Sequence, residues 1–171
     1  LSARMYIKQA HFRAERSLQY YAEPFQVFAG WLGQDISDRY AAMAWELLVE
    51  NSAHDSIGGC SLDRIHEDMM QRYRHAEEIS SGLFARSLSF LCRQLNTRVF
   101  GEDGRALFLV AVNPLNQAHA AVVEAFVDVP AEIDLGALDF VSAEGKSLRH
   151  QLNIRSFIQP IVEEMTNLPL Y

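Results

Sequence analysis

Hydrophobic side chains recur every three or four positions along the first hundred residues, which is the spacing of amphipathic helices that bury one face. The pattern predicts a first helix from about residue 3 to residue 30 and a second that begins at a Ser37 or Asp38 cap. It predicts a third helix from about Leu62 to Gln94. The apolar face expected for this third helix consists of Ile65, Met69, Tyr73, Ala76, Ile79, Leu83, Phe90 and Leu95.

A proline lies inside the first predicted helix. Pro24 offers no backbone donor, and its ring clashes with the preceding turn of a regular helix. We therefore expect a kink or a local widening near Tyr20 to Glu23.

The periodicity changes after Thr97, from the spacing of a helix to the alternation of a strand. Residues 105–112 form a β-type run, and residues 121–129 alternate between apolar and polar positions. A hairpin signal, Ala143-Glu144-Gly145-Lys146, follows. These runs predict antiparallel β structure after the helices.

Together the patterns predict an α+β fold, an antiparallel three-helix bundle followed by an incomplete antiparallel β region. We place the bundle at residues 1–96 and the β region at residues 97–171. The chain starts at Leu1 without an initiator methionine and enters a helical pattern almost at once. This start predicts a piece of a longer polypeptide.

Composition narrows the functional classes. The chain has 171 residues, 49% of them hydrophobic, which is enough for a real core. Its formal charge of -7, from 22 acidic and 15 basic residues, predicts no nucleic-acid partner. No apolar run is long enough to span a bilayer and no signal pattern opens the chain, so we predict a soluble, cytoplasmic protein without membrane partners. Cys60 and Cys92 fit neither a disulfide framework nor a metal site, and we expect reduced thiols.

Residues 51–60 carry the candidate chemistry. They read Asn-Ser-Ala-His-Asp-Ser-Ile-Gly-Gly-Cys, so that a histidine and an aspartate stand side by side where the helical pattern breaks. The two glycines allow a sharp turn, after which we expect Ser61 to cap the next helix with Asp63 in its first turn. His54 and Asp55 are thus predicted at a helix-to-helix corner.

This corner, with its flanks, resembles the middle region of the glycoside hydrolase family 38 α-mannosidases. Bacterial members carry a similar Leu-Leu-x-Asn-x-x-His-Asp-Ser-Ile-x-Gly-Cys-Ser-x-Asp run, which stands here at residues 47–63. Residues 2–10, followed by Glu15, Leu18 and Ala22-Glu23-Pro24, resemble the first middle-domain helix of the family. The resemblance covers residues 1 to about 100 and extends loosely to the β-type run around residues 112–115. His11 departs from it, because the family pattern leads us to expect an asparagine there.

The resemblance implies roles for both corner residues. His54 would be a ligand of the active-site zinc, and Asp55 would bind hydroxyls of the mannose. The other zinc ligands and the nucleophilic aspartate would come from an N-terminal catalytic domain that this chain lacks. The chain is then expected to be inactive alone, with no catalytic residue of its own, as part of a retaining α-mannosidase that acts on mannosides such as mannosylglycerate or its phosphate. Whether the protein forms a homo-oligomer stays open.

The residues by themselves leave other interpretations. His54 could cap a helix C-terminus while Asp55 forms an Asx turn. We expect the remaining histidines and paired glutamates to be surface residues; they are His66, His75, His119, His150, Glu77-Glu78 and Glu163-Glu164.

Two further classes of protein stay open. A non-catalytic helical interaction module would use surface aromatics such as Trp31, Trp45 or Phe28, although their spacing favours burial in the core. A small metal-binding protein would need more ligands to converge on His54, and its sequence neighbours supply none.

Overall fold

The computed structural model describes residues 3–100, 107–129 and 133–152. Helices account for most of the ordered backbone in the first hundred residues. Their bounds are α1 Met5–Arg16, a π-helical segment Ser17–Ala22, α2 Glu23–Trp31, α3 Asp38–Glu50, α4 His54–Gly58, α5 Asp63–Arg93 and two short 3₁₀ turns, Thr97–Phe100 and Leu135–Ala137.

The proline in the first helix produces the predicted local widening. The backbone N–H of Glu23 donates to the carbonyl of Leu18, five residues back, rather than to the carbonyl four residues back. Pro24 has no backbone N–H to donate, and the wider turn accommodates it, so that the helix continues from α1 into α2. The widening is confirmed, although it spans Ser17–Ala22 rather than Tyr20 to Glu23.

Contacts along the helices fix their directions. Arg4 pairs with Asp63 at the start of α5, and Tyr21 meets Phe84 two-thirds of the way along it, so α1 and α2 run in the same direction as α5. The intervening α3 begins with Ser37 as its cap, as predicted, because the hydroxyl of Ser37 accepts from the N–H of Arg39 at 3.4 Å.

Helix α3 runs the opposite way. The carbonyl of Asp35, just before α3, accepts from Arg86 near the far end of α5. Asn51, just after α3, bonds to Met69 near the beginning of α5. The helices therefore follow an up-down-up course, which brings the end of α3 and the start of α5 to the end of the bundle where α1 begins.

The core lies between these helices and is built largely of alanines and a few large side chains. Small residues let helix backbones approach closely, so α5 can contact α1, α2 and α3 together. The buried cluster comprises Ile7, Ala10, Ala14, Leu18, Ala22, Ala41, Ala44, Leu48, Met69, Tyr73, Ala76 and Leu83.

The predicted α+β class is wrong for the part of the chain that the structure describes. Residues 107–129 have no strand there, and Phe126 in the alternating run is 96% exposed. The pairing seen in residues 133–152 is one antiparallel bridge, Val141 to Ser147, closed by a turn with Gly145 at φ 77°. An alternating sequence tells which side chains a strand would place on each face. The strand itself forms only where a neighbouring strand pairs with its backbone N–H and C=O groups. Residues 105–106 of the first run lie outside the described residues.

The chain divides into two compact units, one within Leu1–Val123 and one within Glu124–Tyr171. The predicted domain boundary near residue 97 stays a prediction. Among the helices of the described ranges, none combines the length and the apolar character that crossing a bilayer requires. Cys60 and Cys92 are both free.

Candidate functional site

The corner between α3 and α5, residues 51–60, presents His54 and Asp55 to solvent. His54 is the first residue of α4, a helix of only five residues, and Asp55 is the second. The side chain of His54 is 94% exposed and that of Asp55 is 62% exposed. The predicted position of both residues at an exposed helix-to-helix corner is confirmed.

The two side chains contact each other. Nε2 of His54 lies 2.9 Å from Oδ1 of Asp55. An ion pair or hydrogen bond this exposed contributes little, because water competes for both groups. Either side chain can therefore turn to another partner at small cost.

Helix α4 ends in a Schellman motif. Gly59 adopts the left-handed conformation, with φ 85°, and its N–H donates to the carbonyl of Ser56 at 3.1 Å. The N–H of Cys60 reaches back to the carbonyl of Asp55, also at 3.1 Å. The backbone of Asp55 is thereby fixed while its carboxylate stays exposed.

The start of α5 differs from the prediction. Its N-cap is Leu62, with no side-chain cap bond, rather than Ser61. Asp63 does lie in the first turn, where the helix dipole favours a carboxylate.

A buried asparagine ties the corner to α5. Asn51 is fully buried, its Nδ2 donates to the carbonyl of Met69 at 3.0 Å, and its Oδ1 accepts from Nη1 of Arg72 at 3.3 Å. Nε of Arg72 in turn lies 2.8 Å from a carboxylate oxygen of Glu50. Sequence reasoning assigned Asn51 no role, although its place in the quoted run was a usable signal.

The start of the chain holds the other side of the corner. The N–H of Ala3 and Nζ of Lys8 both donate to the carbonyl of Gly58 at 3.1 Å, and Nε of Arg4 donates to the carbonyl of Gly59 at 3.2 Å. Lys8 also bonds to the carbonyl of Ala3. We call Ala3, Arg4 and Lys8 the N-terminal brace. Both sequence blocks that carry the family resemblance therefore meet at one place.

The corner provides one imidazole and one carboxylate for a cation. Within residues 3–100, 107–129 and 133–152 no group of three or more His, Cys, Asp or Glu side chains could hold a metal ion. The donor set suits zinc, which accepts nitrogen and carboxylate ligands, but it falls short of the three protein ligands usual in catalytic sites. The C-cap residue of α3 is Asn51, and His54 is the first residue of α4.

The comparisons with known proteins decide the family. Residues 1–91, more than half of the chain, match the family described as the α-mannosidase middle domain. The chain belongs to that family. The N-terminal unit described above thus contains an α-mannosidase middle domain, and the resemblance found in its sequence is confirmed.

Relatives of this middle domain are much longer proteins. The chain is 34% identical over 114 residues to a putative mannosylglycerate hydrolase of Halalkalibacterium halodurans, and the match covers 66% of this chain and 12% of that protein. It also resembles the structure of a glycosyl hydrolase family 38 protein from Enterococcus faecalis, with a TM-score of 0.57 and 36% identity over 59% of this chain and 12% of that one. An α-mannosidase from Enterococcus faecalis V583 matches with the same TM-score and identity, over 11% of its length.

One histidine of the middle domain lies where sequence reasoning did not expect it. His66 was assigned to the solvated surface of α5, but it is only 1% exposed. Neither of its ring nitrogens has a hydrogen-bond partner among the described residues. His75, His119 and His150 are exposed, as predicted.

Glu77 and Glu78 do not form a second carboxylate site. Oε1 of Glu77 lies 3.6 Å from Nε of Arg13, a contact between α5 and α1, and Glu78 is exposed. Glu163-Glu164 lies outside the described residues.

The aromatic residues of the middle domain are more exposed than expected. Trp31 and Phe28 are exposed and meet edge to face, with ring centroids 5.5 Å apart. Trp45 is half-buried, and its Nε1 donates to Glu23 at 2.8 Å. Burial was therefore the wrong expectation for Trp31 and Phe28, since the buried residues of α2 are Phe25 and Ala29.

The departure at His11 falls inside the bundle rather than at the corner. Its ring meets Tyr73 edge to face, with centroids 5.7 Å apart, and Nε2 lies 3.9 Å from Glu15.

Burial raises the pKa of Tyr73 to about 12, and the nearby Asn51 opposes only part of that shift.

Proposed function

We propose that this middle domain supplies one zinc ligand, His54, and one sugar-binding carboxylate, Asp55, to the active site of a retaining α-mannosidase. Residues outside this chain would complete that site. The observation that carries the proposal is the exposure of both side chains on a short helix whose backbone is fixed at both ends. Because water competes for the exposed contact between His54 and Asp55, the imidazole can turn to a metal ion at small cost.

The chemistry of the two residues suits these roles. A neutral imidazole offers one nitrogen lone pair, and an ionised carboxylate accepts hydrogen bonds from two neighbouring hydroxyl groups of a sugar. When bound, zinc would polarise sugar oxygens as a Lewis acid. Because His54 and Asp55 are consecutive, the fixed backbone of α4 sets the distance between the metal ligand and the sugar-binding group.

The substrate class follows from the relatives. One relative is named a putative mannosylglycerate hydrolase and another an α-mannosidase. We propose α-mannosides as substrates, with mannosylglycerate and its phosphate as the first compounds to assay. The 171-residue chain alone is expected to release no aryl alcohol from aryl α-mannosides, with or without added zinc, because retaining hydrolysis needs a nucleophile and a separate acid/base carboxyl group.

The test uses a full-length protein that contains this chain. We expect His54→Ala to abolish hydrolysis and to lower the zinc content measured by atomic absorption. Asp55→Asn should keep the metal and lower kcat/KM, since it weakens hydrogen bonds to the sugar. His75→Ala, which removes an exposed histidine from α5, is the matched control and should leave both readouts unchanged. Retention of metal and rate by His54→Ala would refute the proposal.

A second candidate, a non-catalytic interaction module, is favoured by one observation, the exposed Phe28–Trp31 pair. The two candidates differ in their response to mutation. An interaction module would be insensitive to His54→Ala and sensitive to Trp31→Ser, whereas the mannosidase reading predicts the reverse for metal content and hydrolysis.

A further inference from the structure

Helix α4 is held only weakly by the hydrophobic core. None of its five residues is buried, and Ile57 packs against the core while remaining partly exposed. Polar contacts at its two ends therefore contribute much of what fixes its position. Asn51 provides those on the α3 side, and the N-terminal brace provides those on the side of Gly58 and Gly59.

The brace places two cations on the carbonyl end of α4. The carbonyls of Gly58 and Gly59 are among the groups left without helical partners there, and Lys8 and Arg4 donate to them. Hydrogen bonds from charged donors are stronger than neutral ones, and cations near a helix C-terminus also interact favourably with its dipole. Asp63 in turn accepts from Nη2 of Arg4 at 2.5 Å, which connects the brace to α5.

Two features of the backbone indicate that the N-terminal brace packs closely against the end of α4 and is fixed there. Arg4 has φ 53°, the one positive φ of a residue other than glycine in the described ranges. At Gly59, any Cβ would lie 2.6 Å from the carbonyl oxygen of Ala3. A left-handed arginine persists only where its surroundings determine it, and such residues concentrate at functional sites.

We propose that Arg4 and Lys8 are positioning residues that set the orientation of His54 and Asp55 through the C-terminal end of α4. The proposal deepens the proposed function and rests on it for its catalytic consequence. The positioning itself is a property of the 171-residue chain and can be measured without substrate or metal.

The first experiment is amide hydrogen exchange on the chain with Lys8→Met. We expect the amides of Gly59 and Cys60, which close α4, to exchange about tenfold faster, the loss of one charge-assisted hydrogen bond. Lys8→Arg keeps a cation for the carbonyls and should restore most of the protection. Arg13→Met, which removes a different cation from α1, is the matched control and should leave these amides unchanged. Amides in the middle of α5 report whether the bundle stays folded.

The second experiment measures zinc content and kcat/KM in a full-length protein that contains the chain. Substituting a residue that orients a metal ligand typically lowers metal affinity by about 10-fold to 100-fold. Lys8→Met should therefore lower zinc affinity by at least about tenfold, and Lys8→Arg should restore it. Unchanged exchange at Gly59 and Cys60 would overturn the positioning role. So would faster exchange with unchanged zinc affinity and kcat/KM in a full-length protein that loses its zinc on His54→Ala. If His54→Ala kept metal and activity while Lys8→Met still accelerated exchange, the proposed function would fail and the brace would stand as the determinant of the corner.

Discussion

Asn51→Ala is the substitution that most directly tests how the corner is fixed. The side chain of Asn51 is fully buried and makes two hydrogen bonds to α5, one to the carbonyl of Met69 and one from Arg72. Alanine removes both and leaves a small cavity. A net hydrogen bond contributes about 1 kcal/mol and bonds to charged groups somewhat more, so we expect a loss of about 2 to 3 kcal/mol of unfolding free energy.

A matched control separates burial from hydrogen bonding. Asn113 also makes two local bonds, donating to the carbonyl of Gln117 at 2.8 Å and accepting from the N–H of Leu115 at 3.0 Å, but it is exposed. Because water replaces those bonds, Asn113→Ala should change the unfolding free energy by less than about 0.5 kcal/mol. The difference in unfolding free energy between the two variants is then the cost of losing hydrogen bonds that are buried rather than exposed.

The assay is urea unfolding followed by far-UV circular dichroism, with thermal unfolding as a second measure. For a chain of this size, the Asn51→Ala loss corresponds to a fall in Tm of about 4 to 12 °C. If Asn51→Ala and Asn113→Ala cost the same, the buried network would contribute nothing beyond ordinary surface bonding. The assignment of Asn51 as the anchor between α3 and α5 would then be wrong.

Three further substitutions test the packing at the corner and elsewhere in the bundle. Gly59→Ala should lower the free energy of unfolding by at least about 2 kcal/mol, because it strains a residue at φ 85° and brings Cβ against the carbonyl of Ala3. Gly33→Ala, at φ 95° with open space around it, should lower the free energy of unfolding only by the backbone strain of about 1 kcal/mol. Equal costs in urea unfolding would show that the close approach to Ala3 carries no energy. Tyr73, whose pKa rises from 10.0 to about 12 on burial, should lose stabilisation as pH rises from 10 to 12, since the unfolded chain releases its proton first. Wild type should lose about 1.4 kcal/mol more than Tyr73→Phe between pH 9 and pH 11, and identical losses would contradict the burial of that hydroxyl.

Periodicity predicted the helices well because each buries one face. The third helix was expected from Leu62 to Gln94 and extends over Asp63–Arg93. The widening at Pro24 followed from local chemistry alone. By contrast, the β-type runs after Thr97 had the right alternation and the wrong outcome in the described residues, since a strand needs partners that periodicity cannot supply.

The face of α5 was predicted less accurately than its length. Ile65 was placed in the core and is 40% exposed, whereas His66, one position later, is buried. The buried positions follow a regular alternation of three and four residues that includes two serines, namely His66, Met69, Tyr73, Ala76, Ser80, Leu83 and Ser87. Assigning polar residues to the surface shifted the predicted stripe at the start of the helix. Ser80 satisfies its hydroxyl within the helix by donating to the carbonyl of Ala76, a local bond that composition does not reveal.

The corner itself could be located from sequence, but its support could not. The glycines and the His54–Asp55 pair marked an exposed turn, yet the brace joins residues some 50 positions away in the chain, as the bond from Lys8 to Gly58 shows. That contact exists because α1 and α5 run in the same direction and begin at the same end of the bundle, which only the packing of the core determines. A left-handed arginine and a glycine pressed against Ala3 are not what stability alone would select. Their coincidence beside the exposed His54–Asp55 pair supports the proposal that the contacts of the brace hold α4 in a defined orientation, which is the property a metal ligand and a sugar-binding carboxylate require.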